Sequence, residues 1–267
     1  MARLFYPILL LCLFLYTGVS FAEFDSEALR QTDNAHVIVN TTCIYSISSA
    51  QSGKVLAQMP QRSAGNGWFA EHLLNPRMVV TAGHVVDCGR LLEDVVDAFR
   101  GAVERETLVI TQTRRIAVIY KGTEYSAKLF KSSSGEEGQP DFAVLLDVDM
   151  PASVQYYKLP VLLEEVYKKY DEAVIKGLMP FDSKWEPYLK RVLIAKADNQ
   201  NIQFSEIIYK GMSGSPILFY YQGRYHAIGI LFAGGFWEKN DIIVPLGFAQ
   251  ATRLKKDFFE SDQAAPR

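Results

Sequence analysis

Gly211-Met212-Ser213-Gly214-Ser215-Pro216 is the stretch on which the reading of this chain turns. A serine flanked by glycines sits on backbone free to turn tightly and to present its N–H groups. Pro216 then opens an apolar run. Upstream lies Thr81-Ala82-Gly83-His84, and between the two lies Pro140-Asp141-Phe142-Ala143-Val144-Leu145. Acyl transfer needs these three side chains: a hydroxyl nucleophile, an imidazole that takes its proton, and a carboxylate that fixes the imidazole tautomer. The G-x-S-x-G elbow, another way of presenting a nucleophilic serine, is absent because position 215 is serine.

Each residue has a bland reading beside the chemical one. Ser213 fits an ordinary Gly/Ser turn, but a base within reach makes a serine hydroxyl nucleophilic. The N–H groups of Gly211 and Ser213 can then converge on an oxyanion, and one such donor is typically worth about 10²–10³ in rate. Among the 4 histidines, His36, His72, His84 and His226, only His84 follows a hydrophobic strand through a small-residue turn. An unperturbed pKa near 6.5 lets imidazole cycle protons at neutral pH. Asp141 begins an apolar strand, which can hold its carboxylate partly buried at a barrel rim. Asp147 and Asp171 are the competing carboxylates. Asp171 stands in a charged stretch with Lys168, Lys169 and Glu172, and Asp147 lies at the far end of the strand.

The chain has 267 residues, 49% of them hydrophobic and 22% charged, enough for a substantial core. A net charge of -2 with no block of like charge gives no reason to expect nucleic acid or an anionic membrane as partner. Residues 1–22 differ from the rest. Arg3 is the only charge before Glu23, Ile8 to Tyr16 is nearly continuously apolar, and Ser20-Phe21-Ala22 puts small residues where a signal peptidase reads. An uncleaved anchor is the competing reading, since the charge-free run from Leu4 to Ala22 almost suffices to span a bilayer. Pro7 and the end Thr17-Gly18-Val19-Ser20 shorten that run and favour cleavage after Ala22. The mature chain is then exported, to periplasm or medium, with no stable membrane association. Of 3 cysteines, Cys12 leaves with the signal, and Cys43 and Cys88 suggest one disulfide in an oxidising compartment. Two free buried thiols are the alternative. Closing about 45 residues is worth on the order of 4 kcal/mol.

Residues 23–35 are polar and read as a loose arm. From His36 onward, short β-rich runs alternate with turn residues, the pattern of an all-β protein. Ser63-Ala64-Gly65-Asn66-Gly67 reads as a turn cluster. Leu91–Phe99 has the spacing of a surface helix, and 151–160 reads as a connector. Ala251, Leu254 and Phe258 predict a closing helix over Ala249–Phe259, with a frayed tail at 260–267. Two groups of about six strands predict two six-stranded antiparallel barrels, 36–150 and 151–259 with the helix. His84 and Asp141 fall in the first barrel and Ser213 in the second, with a cleft between them for substrate.

Together these motifs resemble the chymotrypsin-like serine endopeptidases, nearest to the bacterial glutamyl endopeptidases and HtrA-type proteases, over about His36 to Phe259. The resemblance implies two barrels, peptide-bond hydrolysis through an acyl-enzyme, and a polypeptide substrate, with no metal or organic cofactor. It puts the base of a specificity pocket near Ile207 and its walls near Leu231, Phe232, Ala233, Gly234 and Gly235. An apolar base without histidine implies a small or apolar residue before the scissile bond. The chain departs from the family in having Met212 where an aspartate or asparagine is common, in lacking an Ile-Val-Gly-Gly start, and in the displacement of Cys88 from the histidine. Activation by a new N-terminus pairing with that aspartate is therefore not expected. A non-catalytic relative that binds through its cleft, and an esterase using the same three residues, are the alternative readings. Oligomeric state is not legible.

Overall fold

The computed structural model describes residues 25–71, 77–135, 138–182, 184–239 and 242–260. The signal segment, residues 23–24 of the arm, His72 and the tail beyond 260 lie outside them. Six strands form the first barrel: β1 (His36–Ser49), β2 (Val55–Glu71), β3 (Met78–Thr81), β4 (Leu108–Tyr120), β5 (Thr123–Ser134) and β6 (Asp141–Leu146). They run β1-β4-β5-β6-β3-β2, all antiparallel, and β1 closes the ring by pairing with β2. A short β7 (Leu159–Pro160) adds a parallel edge to β2. The second barrel is β8 (Glu172–Phe181), β9 (Lys184–Ala197), β10 (Asn201–Phe204), β11 (Pro216–Tyr221), β12 (Arg224–Lys239) and β13 (Ile242–Arg253), closed in the order β10-β13-β12-β11-β8-β9. The two-barrel, all-β architecture is the one the sequence predicts.

Period-two alternation sets these strands. Along β1, Val39, Thr41, Cys43, Tyr45 and Ile47 are buried, while the residues between them are half-exposed. Strand β6 is buried on both faces because Phe258 stacks on Phe142 with ring centroids 3.8 Å apart. Between β3 and β4 come three helices, α2 (Gly83–Val86), α3 (Gly89–Ala98) and α4 (Arg100–Val103). The Cys43–Cys88 disulfide joins this insertion to β1, and Tyr45 donates its hydroxyl hydrogen to the Cys88 carbonyl at 2.6 Å. Val95 of α3 completes that small core. The main core crosses between the barrels, because Leu218, Ala227 and Ile230 of the second pack with Phe69, Val80 and Leu145 of the first. Among the described residues no helix is long and apolar enough to cross a membrane.

Two expectations change. The arm is ordered: α1 (Ser26–Gln31) is capped by Asp25, whose carboxylate accepts from the Glu27 and Ala28 N–H groups. Lys176 of β8 then donates to Leu29 O at 2.6 Å and Thr32 Oγ1 at 2.8 Å and pairs with Asp33, fastening the arm to the second barrel. Polar composition concealed this because the buried cation comes from residues far along the chain. The closing helix is also shorter than its spacing implies. Ala249 and Ala251 are fully buried on strand β13, which hydrogen-bonds to β10 and β12 at once, so only Lys256–Phe259 turns, as 3₁₀ helix. Without this strand the facing edges of β10 and β12 would be unpaired.

His36 lies opposite Trp68 on β2, is 7% exposed, and has no hydrogen-bond partner at either ring nitrogen among the described residues. Burial, followed by the nearby Lys176 charge, lowers its pKa to about 3. The unfolded imidazole titrates near 6.5. Between roughly pH 6.5 and 3 the unfolded chain therefore binds more protons, and stability falls as pH falls, by up to about 1.4 kcal/mol per pH unit. Above that window both states are neutral and the contribution vanishes. Urea midpoints measured at pH 7 and pH 5 should differ, and His36→Phe should narrow the difference; an undiminished difference would contradict the assignment.

Candidate active site

Strand β3 is buried throughout and delivers the chain to Gly83, where any side chain is excluded: an added Cβ would stand 1.7 Å from the Ser133 carbonyl oxygen. The next residue, His84, lies in the single turn of α2. Asp141, 4% exposed at the start of β6, holds it twice. Its Oδ1 accepts the His84 backbone N–H at 3.0 Å, and its Oδ2 lies 2.7 Å from His84 Nδ1. An ionised carboxylate only accepts, so Nδ1 carries the hydrogen and Nε2 of the neutral ring is left as an acceptor. Asp141 is itself positioned from the second barrel, since its N–H donates to Thr252 Oγ1 at 3.0 Å. The competing carboxylates lie elsewhere: Asp147 pairs with Lys128, and Asp171 accepts from the Lys168 N–H. His226 is buried beside Arg224, and burial lowers its pKa.

Ser213 lies on the turn that enters β11. Its carbonyl accepts the Asn66 N–H at 2.7 Å, and Gly65 fits between that carbonyl and Val85, the neighbour of His84. An added Cβ on Gly65 would come within 2.9 Å of Ser213 O and 2.5 Å of Val85 Cγ2, so the histidine turn and the serine turn meet across one strand. Among the described residues the Ser213 hydroxyl and the N–H groups of Gly211 and Ser213 have no hydrogen-bond partner. Gly214 has φ +87°, and a Cβ there would stand 1.9 Å from the Asn66 carbonyl oxygen. Its N–H donates to Leu231 O at 2.7 Å.

The support of this loop was not legible in advance. Asn66, fully buried, donates from Nδ2 to Gly211 O at 2.8 Å and to Leu178 O at 2.7 Å, and accepts the Leu178 N–H at Oδ1, 2.6 Å away. The run Ser63–Gly67 is thus not a turn but the middle of β2, and its glycines serve close contact between the barrels. Met212 is 2% exposed and packs in the core of the second barrel. Its carbonyl accepts from both the Ser215 N–H and Oγ–H, and Ser215 Oγ accepts in turn from the buried Tyr188 hydroxyl, whose pKa burial raises. A Gly-Asn-Gly sequence was the available signal for Asn66; nothing local marks Tyr188.

Around the expected pocket, Leu231 is fully buried, its side chain in the second core and its backbone on Gly214 and Ser215. Phe232 packs against the first core. Ile207, Ala233 and Gly234 are half-buried. Lys190 donates to the Ile207 carbonyl at 2.7 Å and pairs with Glu206 at 2.7 Å, so the charge nearest this place is already matched.

No protein-family model and no curated protein matches the chain. Among solved structures, a thermostable serine protease, AL20, from an extremophilic microorganism aligns at TM-score 0.52 and 12% identity, covering 83% of this chain and 92% of that one. Deg5 aligns at TM-score 0.47 and 16% identity, over 83% of this chain and 85% of its own. The chain has the fold of the chymotrypsin-like serine proteases.

Removing the Asn66 carboxamide takes the partner from two half-buried carbonyls and a half-buried N–H, of which water can re-satisfy some, and a group left unpaired costs about 1–3 kcal/mol. Asn66→Ala is expected to lose roughly 2–4 kcal/mol in urea unfolding. A loss under about 0.5 kcal/mol, the ordinary range of surface substitutions, would show that the bridge is not needed.

Proposed function

We propose that the protein is an exported serine endopeptidase in which Ser213 attacks the scissile carbonyl, His84 takes and returns the proton, and Asp141 holds the imidazole. The observation that carries this reading is the double clamp of Asp141 on His84, across Gly65 from the backbone of Ser213. The unpaired N–H groups of Gly211 and Ser213 are suited to the tetrahedral oxyanion. Attack transfers the hydroxyl proton to Nε2 and forms the intermediate; its collapse expels the amine, which takes that proton. Water then repeats the sequence and frees Ser213. A small or apolar residue before the scissile bond would sit among Ile207, Ala233 and Gly234. Export rests on the segment 1–22 and agrees with the disulfide.

A fluorophosphonate should label the wild type at Ser213, and Ser213→Ala should abolish labelling. Asp141→Asn should slow acylation by about 10⁴, because it favours the wrong histidine tautomer. Folded wild type that stays unlabelled would instead indicate a binding protein. Turnover of esters with none of peptides would indicate an esterase.

A further inference from the structure

An arginine-lined cleft of about 680 Å³ opens on the outer face of the first barrel. On β2, Arg62 stands opposite Thr42 of β1, and on β4, Arg115 stands opposite the same Thr42. The two guanidinium side chains therefore rise from one face of a three-stranded sheet, about 10 Å apart at their backbones. Arg114 lines the same cleft, and the one carboxylate there is Glu124. All three arginines are exposed, and none has an ion-pair partner among the described residues. Positive charge on this face is thus unmatched among the described residues, and a bound anion would neutralise it. Planar guanidiniums suit carboxylates in particular, through paired N–H donors.

The cleft adjoins Ser213 along a continuous strand. Asn66 and Gly65 touch the Ser213 carbonyl, Ala64 and Ser63 line the cleft, and Arg62 follows about 10 Å from Gly65. On the other side of Ser213 stands β12, through the bonds of Leu231 to Gly214 and Ser215, and Ala233 and Gly234 of the pocket proposed for the residue before the scissile bond belong to that strand. A peptide lying across Ser213 with its acyl half on the β12 side would place its leaving half on the β2 side. We propose that the cleft is a subsite for acidic side chains in the leaving half of a peptide substrate, with Arg62 and Arg115 setting that preference. The inference rests on the serine-endopeptidase reading.

Acyl transfer to added amines reads this half of the site alone. A short apolar amino-acid ester acylates Ser213 and releases its alcohol; a peptide amine or water then attacks the acyl carbonyl, the Ser213 oxygen leaves, and His84 returns its proton. The ratio of capture by Ala-Glu-Asp amide to capture by Ala-Gln-Asn amide should be about fivefold or more at low salt and should shrink at 0.5 M salt. Arg62→Ala/Arg115→Ala should bring the ratio near one, and Arg62→Glu/Arg115→Glu should favour Ala-Lys-Lys amide instead. Equal capture of both peptides by wild type, or an acidic preference that survives charge reversal, would overturn the inference. So would equal capture with ester hydrolysis inhibited by a sulfated polysaccharide, which would mark a polyanion surface. Fluorophosphonate labelling separates the two levels. Labelling without acidic preference removes this inference alone, whereas failure to label removes the enzyme reading and this with it.

Discussion

One carboxamide joins the two halves of this molecule where their chemistry meets. Asn66 belongs to the first barrel, yet all three of its side-chain hydrogen bonds go to the second, two to Leu178 and one to the carbonyl of Gly211. Its own backbone accepts from Thr81 and donates to Ser213, so the strand that carries it lies between the histidine turn and the serine turn. A fully buried amide with every polar atom engaged is stabilising, while the same amide half-satisfied would be costly. Docking of the barrels and shape of the loop are consequently one equilibrium rather than two.

The carboxylate side of the site is built the same way. Asp141 begins β6 in the first barrel, but Thr252 of β13 receives its N–H, so the rim that orients His84 is set partly by closure of the second barrel. Met212 fits this plan. Its side chain is apolar and buried, and it packs with its own barrel. The loop is held by packing on one side, by Asn66 on another, and by the Tyr188–Ser215 hydroxyl pair on the third.

Local pattern made much of this legible. Period-two runs marked the strands, the spacing over Leu91–Phe99 marked α3, and the pair of cysteines beyond residue 22 marked the disulfide. The histidine and aspartate were legible because each follows or begins a strongly apolar strand, and those strands are neighbours. What stayed hidden depends on pairs remote in the chain. Asn66 and Gly211 are 145 positions apart, Asp141 and Thr252 are 111 apart, and no periodicity encodes either contact. Ser63–Gly67 was misleading for a related reason: glycine marks close approach as well as turns, and here the crowding comes from Val85 and Ser213. The ordered arm was hidden likewise, since Lys176, which fastens it, looks like any strand lysine until its burial is known.

The bond between Asn66 and Gly211 also has a meaning in time. A chain that folds from its N-terminus completes the first barrel while the loop that Asn66 must grip is still unmade. The loop takes its shape only when the last strand has closed the second barrel and the two halves have docked. The last step of folding is then also the step that shapes this loop. For the serine endopeptidase we propose, a partly folded chain would lack a shaped nucleophile loop and so be harmless to its neighbours.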